Sequence, residues 1–166
     1  MTTFAFDVLV PAEQIISSAL GTGSGNTFAS PSDVGKAVTL GTANNHVLAA
    51  ANAEIDGFVN SVDPGTVNAG YSFGGVLTKG RILAVVGANQ GATPMAVGDY
   101  VVADAQLALG TVGSNQQWSA PGTPPSNPTG PTAQVKTGSP TKKLWRCIRK
   151  VSGTGAAGSV VVLERT

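Results

Sequence analysis

The chain has a single cysteine, Cys147, and a single histidine, His46. One thiol excludes an intrachain disulfide and a multi-cysteine zinc site, so stability has to come from packing or from partners. Charge is equally scarce. Only 11% of the residues are Asp, Glu, Lys or Arg, against about 25% in ordinary globular domains. Long apolar runs are missing as well, since stretches such as 82–86 and 160–163 fall far short of the roughly 18 residues a membrane helix needs. No basic residue precedes the apolar positions of residues 1–10, and Asp7 interrupts them. Both features argue against a secretory signal and for synthesis in a cytoplasm.

What is present is turn and strand material. The 166 residues include 22 glycines and 10 prolines, an excess that favours turns and strands over long helices. Nine aromatics, five of them Phe, and many β-branched residues supply one core in a chain of single-domain length. Short apolar runs alternate with Gly, Asn, Asp and Pro, which predicts strands at 37–40, 47–51, 55–62, 73–77, 81–86, 100–103, 144–151 and 160–164. The expected fold is all-β, a small antiparallel β-barrel or sandwich. Residues 80–87 are apolar nearly throughout, as in a central strand with both faces covered.

Two segments depart from that pattern. Residues 1–30 read as an N-terminal arm and connector, ahead of a β-domain at 31–166. Within the arm, Pro11, Glu13 and Gly21 bracket a stretch that reads as one short helix at 11–20. Residues 113–141 form a Pro-rich loop in which Pro121, Pro124, Pro125, Pro128 and Pro131 leave no room for a ladder. A loop of that length has a binding role or is disordered. Trp118 at its start is a contact anchor on the first reading and packs back onto the domain otherwise.

Charge is divided along the chain. Residues 1–134 carry Lys36, Lys79 and Arg81 against eight carboxylates, whereas residues 135–166 carry seven basic residues against Glu164 alone. The split either complements a neighbouring copy or acidic partner, or places two strands of opposite charge side by side. In the run 142–150, strict alternation puts Lys143, Trp145, Cys147 and Arg149 on one face and Lys142, Leu144, Arg146, Ile148 and Lys150 on the other. That division disfavours a single basic stripe for nucleic acid.

Catalytic patterns fare poorly. Gly70-Tyr-Ser-Phe-Gly74 has the spacing of a nucleophile elbow around Ser72, but strand and turn follow it where that motif needs a helix, and His46 lies upstream of the serine. Gly153-Thr-Gly-Ala-Ala-Gly158 has the dinucleotide spacing, yet too little chain follows for a βαβ unit, so it reads as a hairpin loop. Glu54 and Asp56 would share a strand face, His46 has no second His or Cys nearby, and Cys147 reads as a small core residue. No cofactor, metal site or enzyme is expected.

The runs Glu54-Ile-Asp-Gly-Phe-Val-Asn-Ser-Val62, Gly70-Tyr-Ser-Phe-Gly-Gly-Val76, Gly80-Arg81 and Ala96-Val-Gly-Asp-Tyr-Val-Val-Ala103 resemble small head decoration, or capsid cement, proteins of tailed bacteriophages. Residues 33–112 carry the resemblance, and the Pro-rich loop and basic tail are less typical of it. The resemblance implies a β-rich homotrimer on the outside of the virion capsid, bound to the major capsid protein, clamping neighbouring capsomers and having no catalytic residues. The residues' own chemistry points to contacts with the capsid or other copies at Phe4, Phe6, Val8 and Val10 of the arm, at Trp118, and at Lys142, Lys143, Arg146, Arg149 and Lys150. The competing expectation is a head-fibre or host-surface carbohydrate-binding module that stacks sugars on Trp118 and on Tyr71 or Tyr100.

Overall fold

The computed structural model describes residues 13–24, 27–29, 32–51, 53–88, 94–104, 111–114 and 144–166, with backbone alone at 66, 67 and 111–114. Phe4, Phe6, Val8, Val10, Trp118, Lys142 and Lys143 lie outside the described residues, as does most of the Pro-rich loop. The described residues contain nine strands and no helix: β1 (Gln14–Leu20), β2 (Ala37–Leu40), β3 (Asn45–Leu48), β4 (Gly57–Asn68), β5 (Tyr71–Val86), β6 (Val101–Ala103), β7 (Thr111–Ser114), β8 (Arg146–Ser152) and β9 (Val160–Arg165). The all-β expectation holds.

The pairings close on themselves twice. β1 joins β3, β3 joins β2, β2 joins β4, β4 joins β5, and β5 returns to β1. The second half of β5 pairs with β9 and β7, β9 with β8, and β7 with β6. A bridge between Tyr100 and Arg146 then brings β8 back beside β6. Two barrel-like rings therefore share one long strand, and the described strands leave no free edge between them to invite further pairing. Most pairs are antiparallel, but β1–β3 and β5–β7 run parallel.

Each ring has its own core, and period-2 alternation divides the side chains between them. Val59 and Val76 pair across β4 and β5 and pack with Leu20, Val38 and Val62. Their sequence neighbours Phe58 and Leu77 pair in the same ladder but turn to the other core, with Val86, Val101, Trp145, Val161 and Leu163. The Phe58 and Trp145 rings meet edge to face at 4.9 Å and 82°, a contact that stabilises by about 1 kcal/mol beyond the buried area.

Four expectations are corrected. Residues 14–20 form a strand instead of a helix, although they fall in the segment expected to be arm and connector, because β1 finds a partner on β5 at every residue from Gln14 to Leu20. Tertiary pairing overrides the helix-boundary signals of Pro11, Glu13 and Gly21. Segments 73–77 and 81–86 are one strand, continuous through Gly80, whose φ of 123° swings the chain from one ring to the other. Asp63-Pro64-Gly65, whose residue types predict a turn, is not the reversal but a slip in register within β4, which accommodates the missing proline donor. The reversal is Ala69-Gly70, both at positive φ (51° and 81°) between the paired residues Asn68 and Tyr71, as a two-residue type I′ turn requires. Finally, β5 does not have both faces covered: Ala84 and Val86 are buried, but Leu83 is 61% exposed.

Candidate functional site

The outer face of the second ring is built in three cross-strand rows. Arg81, Glu164 and Arg146 form the first, Leu83, Val162 and Arg149 the second, and Val85, Val160 and Ser152 the third. Their neighbours Ala84, Val161, Cys147 and Leu163 turn inward to the core. Arg81 Nε donates to Glu164 Oε1 at 2.9 Å. Arg146 and Arg149 are exposed and have no ion pair among the described residues. The face thus sets three guanidinium groups and one carboxylate around an apolar centre with Leu83 standing proud.

Strict alternation would put Arg146 and Arg149 on opposite faces. A bulge between Cys147 and Arg149 absorbs one residue, so both stand over the same side of β9. Lys150 is drawn away: its Nζ donates to the Thr154 carbonyl, 2.7 Å off, in the 153–158 loop. That loop joins β8 to β9, with Gly153, Gly155 and Gly158 at positive φ (75°, 98° and 81°), so the dinucleotide-like spacing serves a hairpin. Of the aromatic residues considered for sugar stacking, Tyr71 is half-buried over Gly23, whereas Tyr100 is 44% exposed.

Catalytic spacing and geometry part company. Ser72 is buried and its hydroxyl donates to the Phe28 carbonyl at 2.7 Å instead of to a base. Cys147 is buried in the core of the second ring, and its thiol pKa is pushed up, chiefly by desolvation and then by the charge of Asp99, against lowering by the Arg149 backbone and Lys150. No group of three or more His, Cys, Asp or Glu that could hold a metal occurs among the described residues.

A different set of polar residues comes together where sequence spacing predicts nothing. Glu54 and Asp56 precede β4 instead of sharing a strand face. His46 stands on β3 and is 3% exposed. Its Nδ1 lies 2.6 Å from Ser18 Oγ on β1, and its Nε2 lies 2.9 Å from Asp56 Oδ2. Arg165 of β9 donates through Nη1 to the Asp56 carbonyl and lies 3.8 Å from its Oδ1. The parallel register of β1 and β3 creates this meeting by setting Leu20 beside His46. The end of β3 is fixed in turn by Asn45, whose buried amide donates to the Gly21 carbonyl and accepts from the Ala43 amide.

In comparison with known proteins, the chain matches no family model, no curated protein and no solved structure. No helix of the described residues is long and apolar enough to cross a membrane.

Proposed function

We propose that the protein is a structural virion protein that binds the outer surface of a phage capsid and stabilises it by clamping neighbouring capsomers. The observation that supports this reading is the outer face of β5, β9 and β8, where exposed Leu83 shares a cross-strand row with Arg149 and lies one row from Arg146, neither arginine ion-paired among the described residues. In a chain so poor in charge, an apolar centre ringed by guanidinium groups suits a partner surface that is itself apolar and acidic. Arginine is the cation best suited to a contact of that kind, being weakly hydrated and able to grip a carboxylate with two parallel hydrogen bonds. The partner in this proposal is the major capsid protein, and a homotrimer multiplies modest contacts through effective concentration.

The test is to mix purified protein with undecorated heads and image the particles by electron microscopy. Regular added density on the capsid exterior is expected. Particles left bare at saturating protein, together with binding to a glycan array, would favour the carbohydrate-binding module instead.

A further inference from the structure

We propose that Ser18 is a base-activated nucleophile that accepts the acyl group of small activated esters, with His46 as its base and Asp56 as the group that holds the imidazole. The inference does not rest on the decoration reading. It rests on three side chains from separate parts of the chain that meet in the order hydroxyl, imidazole, carboxylate, at 2.6 Å and 2.9 Å. A carboxylate only accepts, so Asp56 fixes the neutral ring with its proton on Nε2 and leaves the Nδ1 lone pair facing the Ser18 hydroxyl. Arg165 steadies Asp56 from the other side through its backbone carbonyl and its carboxylate. This is the nucleophile, base and orienting group that activated serines share, here with the two ring nitrogens in exchanged roles.

The Ser18 hydroxyl also donates to the Ala19 carbonyl at 3.1 Å, and in the proposed step it turns from that acceptor to the imidazole. In the step itself the Ser18 oxygen bonds to the ester carbonyl carbon while its proton passes to His46 Nδ1. Collapse of the tetrahedral adduct breaks the bond to the leaving alkoxide, which takes that proton. Water attacks the acyl-serine by the same route and frees the acid, so the cycle needs no oxidant or cofactor. Ser18 is half-buried and His46 almost wholly so, and the proposal is confined to small acyl donors for that reason.

The experiment treats the folded protein with a fluorophosphonate probe, in which the serine oxygen displaces fluoride from phosphorus, and maps the adduct by mass spectrometry. One adduct, on Ser18, is expected, and p-nitrophenyl acetate should release nitrophenolate in an initial burst. His46→Gln should slow labelling about 100-fold, the lower range for loss of a general base. Ser17→Ala removes the exposed hydroxyl beside it and should leave the rate unchanged. Unfolding the wild type in urea should abolish labelling, a readout that needs no variant. The proposal is overturned by the absence of a Ser18 adduct on the folded wild type, by equal labelling of His46→Gln, or by labelling that survives unfolding.

Discussion

Arg146 and Arg149 stand on the same face of β8, the first opposite Glu164 and the second opposite Val162. The intervening bulge converts an odd spacing into a shared side, with Arg149 in the cross-strand row of exposed Leu83 and Arg146 in the next row, neither ion-paired among the described residues. Neutralising both with Arg146→Gln and Arg149→Gln should leave stability within about 0.5 kcal/mol for each change, since both are exposed. Attachment to undecorated heads should fall at least tenfold, and wild-type attachment should weaken with added salt. Sedimentation of particles with bound protein measures both. Unchanged occupancy would remove this face from the contact.

Asp56 is the joint between His46 and Arg165. Asp56→Ala leaves a nearly buried imidazole and a guanidinium without their carboxylate, and breaking a buried pair from one side costs about 3 kcal/mol or more. Urea denaturation should show that loss, and a midpoint equal to that of the wild type would mean that the network carries no stability.

Ala69 holds a left-handed conformation, φ 51°, in the two-residue turn between β4 and β5. An alanine there bears a strain of about 1 kcal/mol that Asn or Gly relieves. Ala69→Asn should therefore raise stability by roughly that amount, as read from the thermal midpoint. A fall would show that the turn adopts another geometry in solution.

Gly80 poses the opposite case. A Cβ on Gly80 would sit 3.0 Å from Glu13 Cγ, on a backbone at φ 123° that L-residues rarely adopt. Gly80→Ala should cost about 1–3 kcal/mol, concentrated where the two rings join. Hydrogen exchange of the β5 amides on both sides of residue 80 measures whether both rings loosen together.

The Cys147 thiol, raised by burial, holds its proton more tightly in the folded chain than in the unfolded one. The sign follows by linkage: the contribution to stability is complete below the unfolded value near 9.0 and is lost as pH rises through the raised folded value. Unfolding free energy should decline above that pH more steeply in wild type than in Cys147→Ala compared with its own value at neutral pH. Reaction with a thiol reagent should likewise be slow until the protein unfolds.

Much of the strand pattern was legible in the residues. Segments 37–40, 100–103 and 160–164 are β-branched runs bounded by Gly or polar turns, and they coincide with β2, β6 and β9 to within a residue or so. The burial of Cys147 and the hairpin role of the 153–158 glycines were equally readable, because a small apolar side chain and positive-φ backbones are local properties. β1 was misread because its helix-boundary residues speak only for the nearest turn, while its conformation was decided by a ladder to residues 72–79, more than fifty positions away. The side of Arg149 was misread because no residue type announces a bulge; the fit of β8 to β9 placed it. The same holds for Ser18, His46, Asp56 and Arg165, which lie on or beside four different strands. Composition and short-range propensity determined that this chain would be built of strands. Only the closing of two rings around two cores decided which side chains meet, because burial selects the register and the register selects the neighbours.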